Sequence, residues 1–284
     1  MKTCILIIAL LSLPISAGAV EQDAGADSNG YGNIFLPTGD LFRPLIADPK
    51  QPRFFVSLRK YNFKAHNING AAVGYGENFG IYKHQGKENE SGYQLNIVGG
   101  LFAQFNLDAP SRDLLNADYT IGFPLTYRNG PLSARLNVYH QSSHLGDEYL
   151  LETKPERINL SYEAVDLLGS YEWEKMRSYL GGEYLFRREP GDLKPAGVHG
   201  GIEYYGTKHV LKIGRLVGGL DLKIYEEHHW SLDAALNIGF EFGQLNPGQR
   251  RLRIMLEGYK GYSPHGQFYN DRISYYGVGL YLGF

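Results

Sequence analysis

The end of the sequence alternates between two kinds of side chain. Tyr276, Val278, Leu280, Leu282 and Phe284 fall on one side of an extended strand, because side chains point to opposite faces with a period of two. A strand with one fully apolar side that ends on an aromatic residue is unusual in a sheet surrounded by water. It is typical of a transmembrane β-barrel, where lipid-facing and lumen-facing positions alternate. The sequence therefore predicts an all-β fold, a single transmembrane antiparallel barrel.

This ending also resembles the C-terminal signal that the outer-membrane assembly machinery reads in Gram-negative bacteria. The resemblance implies that the protein lies in the cell outer membrane and makes that machinery an expected partner. The composition agrees, since 22 tyrosines, 14 phenylalanines and 36 glycines suit strands, interfacial aromatic girdles and tight turns. A formal net charge of −2 gives no indication of nucleic-acid binding.

The first residues have the parts of a secretory signal peptide. Lys2 supplies a positive charge, residues 5–13 form a short apolar run, and Ala17 and Ala19 supply small side chains for cleavage. We therefore expect a signal peptide over residues 1–19. The sole cysteine, Cys4, falls inside it, so disulfides are not expected in the processed chain. No later apolar run reaches the roughly 18 residues that a helical membrane span needs.

The rest of the chain divides into two predicted parts. Residues 20–50 are polar and rich in Asp, Gly and Pro, which predicts a periplasmic extension whose residues 41–46 pack against the barrel. Residues 51–284 form the barrel, most simply with twelve strands bounded by turn residues. The strands are predicted near 53–63, 71–83, 92–106, 116–128, 131–143, 157–170, 174–187, 196–206, 214–225, 229–243, 249–262 and 272–284. Two long connections keep counts of ten or fourteen open.

The fifth candidate strand carries the residues with the clearest chemical potential. Leu136 and Val138 share an apolar face that His140 and Ser142 continue, so we expect both polar side chains to point outward near the extracellular end. Two residues apart on one face, an imidazole and a hydroxyl can form a hydrogen bond. That is the minimum that a histidine base needs to activate a serine nucleophile.

The motif His140-Gln141-Ser142, followed by Asp147, resembles the outer-membrane phospholipase A family of twelve-stranded barrels. The resemblance implies that Ser142 is the nucleophile and His140 the general base, on the outer wall. It also implies that Asp147, with Glu148, helps to hold a calcium ion that stabilises the oxyanion. The family's third member is an asparagine at the start of the next strand, for which Asn159 is the candidate.

The position of Asn159 departs from that pattern. It shares its face with Ser161 and Glu163, whereas Ile158, Leu160 and Tyr162 form the apolar side. Alternation therefore predicts that Asn159 faces the lumen, away from His140, unless a bulge intervenes.

A second resemblance extends along nearly the whole chain. Residues 139–148, 41–48 and 266–269 resemble the domain of unknown function family 1207, an uncharacterised group of Gram-negative outer-membrane proteins. This resemblance implies an outer-membrane barrel and supplies no established activity.

Three functions remain open from the sequence. The first is a lipid acyl hydrolase that acts on phospholipid or lipid A, with outer-membrane lipids and lipopolysaccharide as partners. In the second, a non-enzymatic channel or structural barrel, His140 and Ser142 are a polar cap and Asp147 and Glu148 a solvated or lipopolysaccharide-bridging loop. A surface-loop binding or assembly module is the third. The lumen residues that would matter in a channel are Arg135, Asp233, Glu241, Arg253 and Glu257.

Overall fold

The computed structural model describes residues 32–63, 66–86, 91–155, 157–210, 214–243 and 251–283. The predicted signal peptide, residues 20–31 of the predicted extension and the terminal Phe284 lie outside these ranges. None of the helices within them is long and apolar enough to cross a bilayer.

Twelve antiparallel strands close into a barrel, which confirms the predicted fold and strand number. Each strand of the ring pairs with its neighbours in sequence, and the first, β2 (Phe54–Phe63), pairs with the last, β13 (Arg272–Gly283), to complete the ring. A further short strand, β1 (Gly32–Phe35), pairs outside the ring with the end of β3 (His66–Gln85). The strands are β1 (Gly32–Phe35), β2 (Phe54–Phe63), β3 (His66–Gln85), β4 (Ser91–Asn106), β5 (Leu114–Asn129), β6 (Leu132–Leu145), β7 (Leu160–Trp173), β8 (Met176–Glu189), β9 (Ala196–Val210), β10 (Gly214–Tyr225), β11 (Leu232–Phe242), β12 (Arg251–Tyr262) and β13 (Arg272–Gly283).

The two faces of the wall differ in the way that the alternation predicts. On β5, Ile121, Phe123 and Leu125 are exposed on the outside, whereas Asp118 and Thr126 on the inside are fully buried. The same contrast recurs around the ring, so the barrel has an apolar outer belt and a polar lumen. An exposed apolar belt of this extent is unfavourable in water and is matched by the hydrocarbon of a membrane.

The barrel has two distinct ends. Phe54 at the start of β2 pairs with Leu282 near the end of β13, so both strands meet at what we name the terminal end. The short β5–β6 turn at residues 130–131 lies there as well. The opposite end, named the loop end, carries the long connections 146–159 and 263–271. The first of these contains a short helix, α1 (Asp147–Thr153).

Residues 40–53 lie inside the barrel, and we name them the plug segment. Leu45 and Ile46 are almost fully buried within the lumen. Wall side chains bind the plug backbone: Arg128 Nε donates to the Leu41 carbonyl at 2.7 Å, and Glu203 Oε1 accepts from the Ile46 amide at 2.6 Å. Residues 41–46 therefore fill the interior of the barrel, where the sequence had led us to expect packing against it.

Two wall glycines make room for the plug segment. A Cβ atom at Gly76 would lie 2.6 Å from the backbone nitrogen of Arg53, and one at Gly219 would lie 3.1 Å from the Ile46 Cβ. The first distance is shorter than any real contact allows, and the backbone of Arg53 cannot move away as a flexible side chain could. Glycine at position 76 is thus required by the close approach of the plug to β3.

Candidate functional site

His140 and Ser142 lie on the outer wall near the loop end, as the alternation along β6 predicts. The residues between and beyond them, Gln141 and Ser143, are buried toward the lumen. On β5, Ile121 is directly opposite His140 and Tyr119 is opposite Ser142. The polar pair therefore has an apolar flank on one side.

The other flank, on β7, is polar. Ser161 is directly opposite Ser142, and Glu163 is directly opposite His140. Because paired residues share a face, Ser161 and Glu163 also point outward. Four side chains from two strands thus form one polar patch on an otherwise apolar wall.

The prediction that this face of β7 points into the lumen is wrong. Leu160 and Ala164 turn inward, where they pack with Leu185 and Leu193 in a buried cluster under the loop end. A register shift in the β7–β8 pairing after Glu163 accompanies this arrangement. Leu160 and Ala164 face the lumen although they are apolar, so the apolar residues of β7 do not all mark its lipid-facing side.

Glu163 contacts His140. The distance from His140 Nδ1 to Glu163 Oε1 is 3.2 Å, and both side chains are partly exposed. A carboxylate on Nδ1 holds the proton there and leaves Nε2 free to act as a base. The other Glu163 oxygen lies 3.6 Å from Nε of Arg187 on β8, whose side chain is largely exposed.

Asn159 does not occupy the position next to His140. It is exposed and immediately precedes β7, on the loop-end side of Ser161. The place beside the imidazole belongs to Glu163, a residue that sequence reasoning did not assign. The signal for Glu163 was its place on β7, but only the pairing register identifies it as the neighbour of His140.

The structure places His140 and Ser142 on one face of β6, but their side chains are not hydrogen-bonded to each other. In the part of the chain that the structure describes, the Ser142 hydroxyl forms no hydrogen bond. Catalytic hydrogen bonds are often long or poorly aligned in the free enzyme and tighten when substrate binds.

Asp147 and Glu148, which the resemblance assigns to calcium, lie at the start of a short helix at the loop end. Asp147 and Glu148 are the first two residues of α1, and both are exposed. Within the described ranges, no group of three or more His, Cys, Asp or Glu side chains is arranged to hold a metal ion. The carboxylates of Asp147 and Glu148 lie in the first turn of α1, where negative charge interacts favourably with the helix dipole.

The lumen residues predicted to matter for a channel are mostly engaged in ion pairs. Arg135 Nη2 lies 2.8 Å from Asp166, Glu241 lies 2.6 Å from Arg253 Nε, and Glu257 lies 2.8 Å from Arg59. Asp233 accepts a hydrogen bond from a backbone amide. Together with the plug segment, these contacts fill much of the lumen.

Solved structures with a similar fold are outer-membrane β-barrels. Outer membrane phospholipase A from Escherichia coli is 12% identical with a TM-score of 0.57, over 82% of this chain and 91% of that one. The Salmonella typhi outer membrane phospholipase dimer with bound calcium is 12% identical with a TM-score of 0.56, over 85% of this chain and 94% of that one. At this identity the likeness shows the fold alone, that of a transmembrane outer-membrane barrel.

Sequence comparison places the chain in a family. No curated protein matches it significantly. The family described as "Protein of unknown function (DUF1207)" matches residues 12–284, which is nearly the whole sequence. The chain therefore belongs to the DUF1207 family.

Proposed function

We propose that this protein is a lipid acyl hydrolase whose active site lies on the outer wall of the barrel. The contact between His140 Nδ1 and Glu163 Oε1, beside an outward-facing Ser142, supports this proposal most directly. A serine, a histidine beside it and a carboxylate in contact with that histidine are the parts of a nucleophilic hydrolase site, and this set recurs on unrelated folds.

Each residue has a defined part in the reaction. Ser142 Oγ attacks the ester carbonyl while His140 Nε2 takes its proton, and the imidazolium then returns the proton to the departing alcohol. Water, activated by the same imidazole, hydrolyses the acyl–serine bond and releases the fatty acid. Glu163 stabilises the imidazolium through Nδ1.

The surroundings favour a lipid ester as substrate. Ile121 and Tyr119 flank the patch on β5 and offer apolar surface to an acyl chain. Arg187, on the opposite flank, offers an exposed guanidinium to an anionic headgroup. The structural similarity to proteins named as outer membrane phospholipases adds support from the fold.

A serine-reactive probe tests the nucleophile directly. We expect a fluorophosphonate to label the folded protein, with the adduct on Ser142 by peptide mass spectrometry, and His140→Ala to suppress labelling. Ser161→Ala is the matched control, because Ser161 is opposite Ser142 on the same face, and labelling should persist. An adduct on Ser161, or equal labelling of wild type and His140→Ala, would contradict the assignment.

The filled lumen argues against an open pore. We expect the full-length protein to show no stable open steps in a planar lipid bilayer, because the plug segment occupies the interior and is held by wall residues such as Arg128 and Glu203. Steady conductance that requires no denaturant would instead favour the channel alternative.

A further inference from the structure

A cavity of about 240 Å³ lies inside the barrel, above the plug segment. Asp40, Phe42 and Asp48 of the plug form its floor, and Lys194 and Tyr269 lie at its loop end. Pockets for drug-sized ligands are typically about 300–1,000 Å³, so this chamber suits a smaller molecule. It is on the opposite side of the wall from Ser142, and its ligand is independent of the proposed hydrolase.

The chamber carries an excess of negative charge. The carboxylates that line it are Asp40, Asp48, Asp166, Glu183, Asp221, Glu227 and Asp233. The lysines and arginines that line it are Lys50, Arg135, Lys194 and Lys223. Burial lowers the pKa of His228, another lining residue, to about 4, so its ring adds no positive charge at neutral pH.

Three of the four lysine and arginine side chains that line the chamber in the described structure form ion pairs with carboxylates of the protein. Lys223 Nζ lies 2.7 Å from Asp48, Arg135 lies 2.8 Å from Asp166, and Lys50 forms an ion pair with Asp118 outside the lining. Among the described residues, Glu183 has no basic partner and accepts a hydrogen bond only from the Tyr139 hydroxyl.

A row of acceptor side chains lines the chamber, and two of its oxygens lack a donor among the described residues. Asn137, Asp166 and Glu183 are directly opposite one another on β6, β7 and β8. Asp166 is 8% exposed, yet its Oδ1 has no hydrogen-bond partner within the described structure, and the same holds for Oδ1 of Asn137. A buried acceptor without a donor is unfavourable because it has lost its hydrogen bonds to water, and a donating ligand would restore one.

Aromatic rings complete the lining. Tyr139, Tyr162, Tyr225 and Tyr259 contribute to the walls. The face of a tyrosine ring attracts cations, and the attraction strengthens where water is excluded. Carboxylates, unpaired acceptors and aromatic rings together favour a ligand that is positively charged and donates hydrogen bonds.

We propose that this chamber binds a small organic cation bearing primary ammonium groups. Its N–H groups would donate to the row formed by Asn137, Asp166 and Glu183, and its charge would offset the excess of carboxylates. An anion would be repelled, and a neutral sugar would supply donors but leave the charge uncompensated. Residues able to ligate a metal ion are not clustered there in threes within the described ranges.

The test is calorimetric titration of the full-length protein in detergent with putrescine, with glucose, calcium and inorganic phosphate as comparison ligands. We expect putrescine alone to bind, with a dissociation constant that rises about tenfold in Glu183→Gln. Glu152→Gln, on the exposed face of α1, is the matched control and should bind like wild type.

Glu183→Gln is the primary variant because Glu183 holds no arginine or lysine in place, whereas Asp166→Asn also breaks the pair with Arg135. Heat-dependent mobility on gels verifies that each variant is folded. Equal putrescine affinity in wild type and Glu183→Gln would overturn the proposal, as would binding of glucose or calcium in place of the amine.

Discussion

Replacing Ser142 with alanine is expected to abolish hydrolysis of phospholipid vesicles by the purified protein, with a loss of at least about a thousandfold in rate. The substitution removes the attacking oxygen and leaves the His140–Glu163 contact intact. The side chain is on the outer wall and carries no hydrogen bond among the described residues, so the barrel should keep its fold. Release of fatty acid over time measures the effect.

The control variants distinguish the loss of a catalytic group from the loss of a polar side chain on the outer wall. Ser161→Ala removes the same hydroxyl from the paired position on β7 and should keep most of the activity. Glu163→Gln retains the shape but removes the charge that stabilises the imidazolium, so we expect an intermediate loss in kcat with a smaller change in KM. Unchanged hydrolysis in folded Ser142→Ala protein would rule out this serine as the nucleophile.

The fold could be predicted from the sequence because a barrel wall separates two very different environments. Leu280 and Val278 on β13 alternate with lumen-facing residues, and the same period of two recurs in twelve segments. At most positions, polar residues that face the lumen and apolar residues that face outward indicate the same assignment of the two strand faces. The sequence therefore predicted the existence of all twelve strands of the ring and the facing of most of them, while the boundaries shifted by a few residues.

The site could be predicted only in part, because it depends on register and on departures from that rule. The outward placement of His140 and Ser142 followed from their own strand. The facing of β7 did not, because Leu160 and Ala164 are apolar residues that pack inside the barrel. The partner of His140 depends on how β7 pairs with β6 after the connection 146–159, and alternation within one strand carries no information about that register.

The position of the plug segment inside the lumen could not be predicted from the sequence either. Leu45 and Ile46 form a short apolar pair in a polar segment, a pattern that fits packing on either side of a wall. Their place in the lumen depends on buried charges from distant strands. The pair formed by Arg177 of β8 and Glu203 of β9 is the clearest example, since Nη1 and Oε2 lie 3.1 Å apart and both side chains are fully buried.

Replacing Glu203 with alanine is expected to destabilise the barrel strongly. The change leaves the Arg177 guanidinium buried without its counter-charge, which typically costs about 3–5 kcal/mol in the free energy of unfolding. It also removes the acceptor for the Ile46 amide, at 2.6 Å, and for the Tyr205 hydroxyl, at 2.9 Å. Urea unfolding in lipid vesicles, followed by gel mobility, measures the loss.

A double variant identifies the cause of that loss. If the unpaired charge dominates, Arg177→Met combined with Glu203→Met should be more stable than Glu203→Ala, because a buried ion pair replaced by apolar residues of similar size is often tolerated. Arg177 also donates to the Arg43 carbonyl of the plug at 2.8 Å, so the double variant should still expose residues 40–53 to protease sooner than wild type. If the free energy of unfolding of Glu203→Ala is within about 1 kcal/mol of the wild-type value, the Arg177–Glu203 pair does not hold the plug in place.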